Sequence, residues 1–253
     1  MDVSLFQAAA AMNATSRWQE VIAENVASSH IPGYKKQDLS FSAVQAGHQP
    51  RSALASQLHN QRFMMPLAGA TTNLKAGELR PTGVNTDLAL EGPGYFEVQM
   101  PDGRTGYTRD GGFRVNGQGQ LVNKQGMPVL GESGSLMLDP NNPGPITVSQ
   151  TGEVSQGGAM KGRLKLSEFT DPGPLIAAGA GLFVAPDGMA PPTASGRTTV
   201  HQGFVENSNT STVTEMVNLI NANRLFQANQ KVILAADERV SRLITDVGNP
   251  PAI

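Results

Sequence analysis

The sequence predicts an α+β fold: long N- and C-terminal helices paired as a coiled-coil-like domain, with a central antiparallel β-rich domain inserted between them. Three observations carry this expectation. Of the 28 glycines, residues 1–46 hold only Gly33 and residues 204–253 only Gly248. Glycine is disfavoured inside helices and favoured in turns, so the ends can be helical and the middle cannot. Both ends place apolar residues at alternating steps of three and four, and the middle is punctuated by Asp-Gly and Asn-Gly pairs between short apolar runs.

The first element is a helix from about Ser4 to Ser28. Leu5, Ala8, Met12, Thr15, Gln19, Ile22 and Val26 form its seam. It should stop at "SSHIPGYKK", where Pro32 removes a backbone donor and Gly33 permits a sharp change of direction. Residues 36–79 are polar, with Gln, Ser and His, and are expected to be an extended connector. Residues 80–203 form the β-rich outer domain. Within it, Asp102–Gly103 and Asn116–Gly117 are hairpin signals, because such turns need residues tolerant of positive φ. A weak internal echo aligns "FRVNGQGQLVN" (113–123) with "ITVSQTGEVSQ" (146–156), matching Val115 to Val148 and Gly119 to Gly152.

The last element is a helix capped by Ser211 or Thr212. Thr212 and Glu215 have capping-box spacing. It runs to about Val247, where Gly248 and Pro250 end it. At 1.5 Å per residue, about 35 residues make a rod of about 50 Å, long for a domain of this size. Its seam is Met216, Leu219, Asn223, Phe226, Gln230, Ile233, Asp237, Val240 and Ile244. Three of these are polar. Either they face solvent on a helix whose buried face has another phase, or they lie at subunit contacts and set register and partner choice. The economical arrangement pairs the two ends as a discontinuous helical domain, residues 1–35 plus 204–253. Each helix then buries one face only, and Val213, Val217 and Ile220 need further partners.

Composition excludes several function classes. The net charge is −2 with mixed signs, which offers no attraction to nucleic acid or an anionic membrane. There is no cysteine, which removes disulfides, thiol chemistry and Cys-based zinc sites. No apolar run approaches the ~18 residues of a transmembrane helix. The run from Leu5 to Met12 follows Asp2 with no Lys or Arg, so it makes a poor secretory signal peptide.

No catalytic or cofactor-binding arrangement emerges. "GQGQLV" lacks the third glycine of a dinucleotide loop, and "GESGS" lacks the spacing of a nucleophile elbow. His30, His48, His59 and His201 are scattered, with no second ligand at metal spacing. Asp87, Glu91 and Glu97 lie near one predicted strand and could supply an acid and a base; the plainer alternative is a turn aspartate and two solvent-facing glutamates. The expected catalytic, cofactor and metal residues are therefore none.

Four stretches together resemble the bacterial flagellar rod and hook proteins of the basal body. "ENVASSHIPGYKK" (24–36) is similar to the motif that closes the family's N-terminal helix, with Asn25, Ala27, Pro32, Gly33, Tyr34 and Lys35 matching. Ile31 stands where Thr is usual and Ser28 where a second Asn is usual. "TGVNTDLALEGPGYFEV" (82–98) and "YTRDGGFRVNGQGQLVNKQGMPVLG" (107–131) resemble its central motifs. "QGFVENSNTSTVTEMVNLINANRLFQANQKVI" (202–233) resembles its C-terminal signature through Gly203, Glu206, Ser208, Asn209, Glu215, Met216, Arg224, Phe226 and Asn229, with Thr210 where Val is usual.

The resemblance implies an axial structural protein and no enzyme. It would assemble helically with copies of itself and with other rod and axial proteins, transmitting torque and lining the export channel. Paired terminal helices would line the inner tube and the β domain would face outward. Partners in transit would be the flagellar export apparatus, with no nucleic acid and no membrane insertion. The location implied is the periplasmic rod, reached without a cleaved signal peptide. Expected assembly-interface residues are Leu5, Met12, Ile22, Asn25, Val26, Met216, Leu219, Asn223, Phe226, Gln230, Ile233, Val240 and Ile244; Pro32, Gly33, Tyr34 and Lys35 form the helix exit. Size favours a rod over a hook member, and the start "MDVSLFQAAAAM" is more like proximal than distal rod members. A β-rich cell-wall hydrolase and a soluble export adaptor are the competing classes.

Overall fold

A computed structural model describes residues 3–48, 62–142, 144–194 and 196–248. The chain is α+β, with a helix at each end and a β-rich middle. Helix α1 spans Val3–Ala27 and helix α2 spans Thr212–Gly248. Two strands, β1 (Gln37–His48) and β2 (Arg62–Thr72), pair with each other. The chain divides into two compact units. One comprises Met1–Val26, Gln37–Thr71 and Thr212–Ile253; the other comprises Ala27–Lys36 and Thr72–Ser211.

In the helical unit, α1 buries Ala8, Ala14, Thr15, Val21, Ile22 and Asn25. The small residues Ala8 and Ala14 allow close approach on that face, and the Thr15 hydroxyl is satisfied by Ala11 O at 2.7 Å. Asn25 is buried near the helix end and exchanges two bonds with the backbone of Gln37, at 2.8 and 2.9 Å. That pairing fixes where β1 starts. Ser40 Oγ donates to Gly69 O, and Thr71 Oγ1 donates to Asp38 O. These contacts step in opposite directions along the chain, as an antiparallel ribbon requires. Trp18 meets Phe41 edge-to-face at 5.9 Å, so the ribbon lies against α1. A segment whose composition suggested only extended chain is thus a paired ribbon in its described part. Residues 49–61, which include His59, lie outside the described residues.

The β-rich unit is built on a six-stranded antiparallel sheet. Its strand order is Ile176–Gly179, Leu182–Val184, Thr105–Thr108, Tyr95–Gln99, Leu166–Glu168, Thr193–Ala194. The strand Tyr95–Gln99 is buried on both faces, and the two-residue period of a strand sends its side chains to two different cores. Phe96 and Val98 enter the larger core with Leu88, Leu90, Phe113 and Val129. Tyr95 joins Tyr107, Phe169, Leu175 and Phe183 on the other face. Phe96 and Phe113 meet edge-to-face at 5.0 Å.

One turn recurs around the larger core. In each copy the first residue's N–H donates to the carbonyl four residues on, and the fourth residue's N–H donates back to the first carbonyl. The pairs are Met100 with Arg104 and Gly103, Asn116 with Gln120 and Gly119, Asn123 with Met127 and Gly126, and Ser149 with Glu153 and Gly152. The fourth position is always glycine, at φ between +80° and +85°. This is a three-residue hairpin loop with a bulged glycine rather than a two-residue loop. The Asn116–Gly117 signal therefore marks the right place with the wrong geometry: positive φ falls at Gly119. The reason is the Asn116 side chain, whose Oδ1 accepts N–H bonds from Gln118 (3.0 Å) and Gln120 (2.9 Å). The echo between 113–123 and 146–156 is this turn repeated, Gly119 corresponding to Gly152.

Phe96 is fully buried, and its truncation leaves a cavity between the two halves of the sheet core. Phe96→Ala is expected to destabilise the β-rich unit by about 3–5 kcal/mol. Urea denaturation followed through tyrosine fluorescence would measure this; a loss below about 1 kcal/mol would mean that the core is not organised around this ring.

Candidate assembly interface

The four motif stretches meet at one place, and it is a buried ionic clamp. Lys35, Arg109 and Glu206 have side chains 1%, 7% and 0% exposed. Glu206 Oε1 accepts from Lys35 Nζ at 2.5 Å and from the Gly77 N–H at 2.8 Å. Glu206 Oε2 faces Arg109 Nη1 at 3.5 Å. Arg109 also donates to Leu90 O at 3.4 Å and Gly92 O at 2.5 Å, and its guanidinium lies 5.0 Å from the centre of the Tyr95 ring. Lys35 Nζ makes a further bond to Lys75 O at 2.8 Å. Burial lowers the Lys35 pKa, and the Glu206 carboxylate partly offsets that. Burial likewise raises the Tyr95 phenol.

The clamp ties the helix-exit segment to the segment that enters α2. Gly33 N–H donates to Glu206 O at 2.7 Å, and Asn209 N–H donates to Tyr34 O at 3.3 Å. Asn209 Oδ1 accepts from Lys36 N–H at 2.8 Å, while its Nδ2 donates to Asn73 O and Lys75 O. Gly33 has φ +67°, and a Cβ there would sit 2.3 Å from the Arg109 carbonyl carbon. Only glycine fits this approach. Pro32, Gly33, Tyr34 and Lys35 are thus a docked loop, with Tyr34 and Lys35 buried. These bonds are why Ala27–Lys36 clusters with the β-rich unit. No local pattern announces the clamp, since residues 35, 109 and 206 are far apart in the chain.

The helices show where apolar surface remains. On α2 the covered stripe is Glu215, Leu219, Ala222, Phe226, Asn229, Ile233 and Ala236, again at steps of four and three. It shares Leu219, Phe226 and Ile233 with the expected seam. The alternate positions fall one residue earlier, on Ala222, Asn229 and Ala236, so Asn223, Gln230 and Asp237 are exposed. Met216 and Val240 are exposed too, and Val213, Val217, Ile220, Leu225, Val232 and Leu234 are each about half exposed or more. On α1, Ile22 and Asn25 are buried, while Met12 and Val26 are partly covered. Leu5 and Ile244 have side chains outside the described residues. Gln19 Nε2 donates to Asn223 Oδ1 at 2.8 Å, so two polar positions of the expected seams bond directly across α1 and α2.

The acid–base alternative finds no geometry to support it. Glu97 is buried, accepts the Ser167 hydroxyl, and pairs with Lys165 at 3.0 Å. Glu91 is exposed and meets His201 Nε2 at 2.8 Å. Asp87 anchors a turn through its backbone, its N–H to Val84 O and its carbonyl to Gly203 N–H. Glu97 and Glu91 have separate partners, Asp87 is held through its backbone, and no metal-binding group of three His, Asp or Glu occurs among the described residues. No described helix is long and apolar enough to cross a membrane.

Comparison with known proteins matches the same segments. The family "Flagellar hook protein FlgE/F/G D1 domain" matches residues 89–156, and "Flagellar basal body rod FlgEFG protein C-terminal" matches residues 201–246. The flagellar basal-body rod protein FlgF of Caulobacter vibrioides is 33% identical over 234 residues, covering 92% of this chain and 93% of the relative. The chain belongs to the flagellar basal-body rod protein family. The rod protein FlgG of the same organism is 32% identical over 256 residues, covering 93% of this chain and 95% of the relative. FlgG of Buchnera aphidicola is 29% identical over 240 residues, covering 88% and 91%. Arg109 lies in the first matched segment and Glu206 and Asn209 in the second, while Lys35 lies outside both.

Replacing Glu206 with Gln would leave Lys35 and Arg109 as uncompensated buried cations. Glu206→Gln is expected to cost about 3–5 kcal/mol, because removing one partner of a buried ionic group strands the others. Thermal denaturation of the purified chain measures it, and a loss of under 1 kcal/mol would show that the clamp is not holding the exit loop.

Proposed function

We propose that the chain is a structural subunit of the flagellar rod that self-assembles helically with other axial proteins. The observation that carries this is the exposed apolar surface of α2; the family's motif residues, separately, build a buried clamp. Lys35, Arg109 and Glu206 are spent on holding chain segments together, with their side chains buried. In this proposal α1 and α2 pair as a coiled-coil-like module and pack against helices of neighbouring subunits. The interface includes the seam residues Met12, Ile22, Val26, Met216, Leu219, Phe226, Ile233 and Val240, with Leu5 and Ile244 extending it. Asn25 anchors the ribbon at the module's end. Gln19 with Asn223, and Gln230 further along, set register, as polar positions do in helical seams at some cost in stability.

The wider expectations follow from rod membership. The subunit would pass through the flagellar export apparatus without a cleaved signal peptide and reside in the periplasmic rod. It would act as a torque-transmitting part of the channel wall, with no cofactor and no catalytic turnover. The opening residues support a proximal position, with a distal position as the alternative; identity to FlgF (33%) and to FlgG (32%) is nearly equal.

An epitope tag in the exposed turn near Asn141, read by electron microscopy of purified basal bodies, tests the proposal. Label is expected on the rod, at its proximal end. Label absent from otherwise intact basal bodies would overturn it and return the export-adaptor class.

A further inference from the structure

Helical assembly, on which this inference rests, needs at least one contact that repeats from copy to copy. The β-rich unit carries a recess and a projection that complement each other. The recess, about 430 Å³, is lined by residues 169–171, 174 and 186–191. Phe169 and Met189 give it an apolar floor continuous with the Tyr95–Tyr107–Phe183 cluster, and Pro174, Pro186 and Pro191 stiffen its walls. Asp171 and Asp187 stand on its exposed rim. Residues 166–196 contain no Lys or Arg, and Glu168 is already paired with Arg197. The rim is therefore acidic over an apolar floor.

The projection is the strand Ala159–Arg163. Met160 is 67% exposed, more than any other large apolar side chain among the described residues of the β-rich unit. Lys161 and Arg163 follow it, and residues 155–164 contain no acid. None of this strand lines the recess in its own chain. An unbranched, polarisable Met side chain fits an irregular aromatic pocket, and the opposite local charges add steering.

We propose that Met160 of one copy seats in the Phe169–Met189 recess of the next, with Lys161 beside the Asp171 and Asp187 rim. Reciprocal seating of the same pair would close a two-fold dimer, so the proposed contact is one-way, that is heterologous. It propagates from subunit to subunit rather than closing a two-fold dimer, which suits a rod.

The absence of native cysteine allows a direct test. Basal bodies are prepared from cells carrying the chain as Met160→Cys with Ala190→Cys, then oxidised with diamide and run on non-reducing gels. The chain is expected to shift from monomer to a ladder of dimers and higher species, which neither single variant forms. A chain present in the rod at normal amount that stays monomeric, or that crosslinks only within itself, overturns the contact and leaves the rod proposal standing. Absence of the unsubstituted chain from the rod overturns both. As a second measurement, Met160→Asp is expected to lower the copies per basal body several-fold while Met160→Leu leaves them unchanged; equal retention of both variants overturns the contact.

Discussion

A single carboxylate, that of Glu206, holds distant chain segments together within the β-rich unit. It sits out of water between Lys35 and Arg109 and also accepts a backbone N–H from Gly77. A buried ionic group is weak evidence for stability, because desolvation consumes much of what the charges gain. Its value lies in geometry. Lys75 O, the Gly77 N–H, Leu90 O and Gly92 O are the cluster's further partners at fixed positions, so segments 75–77 and 90–92 are drawn to it. The exit from α1 and the approach to α2 are thereby held side by side by the β-rich unit itself. Gly33 completes the constraint, since any side chain there would collide with the Arg109 backbone.

The helices leave apolar faces uncovered within one chain. The α2 surface carries Val213, Val217, Ile220 and Leu234 in the open, which is too much apolar exposure for a helix that ends its packing within one chain. In the proposed assembly, other subunits bury these faces. The Gln19–Asn223 bond is a direct polar link between α1 and α2. The β-rich unit has two apolar clusters of its own and does not draw on the helices for its core.

The helices were legible because they lack glycine and repeat at helical steps, and the turns were legible because Asp, Asn and Gly cluster there. The phase of α2 was legible only at Leu219, Phe226 and Ile233. Steps of three and four can be started on either side, and Ala222 and Ala236 are small enough that the bulkier neighbouring positions looked like the stripe. The Asn116 turn was placed but mistyped, since the side-chain bonds that select its geometry depend on the residues that follow it. The β1–β2 ribbon was invisible as a pair because register between two strands leaves little trace in either one. The clamp was reachable only through family resemblance. Its parts are single residues of long-range partners, and a buried Lys or Glu looks in sequence like any other charge.

The central claim is that the clamp belongs to a self-sufficient β-rich unit while the helices wait for assembly. Hydrogen exchange on the dilute monomer tests it most directly. Amides of residues 33–36 and 206–209 should be protected with the sheet, while α1 and α2 exchange far faster, because helix faces without partners supply little stability. Strong protection along both helices in the monomer, equal to that of the clamp, would contradict it.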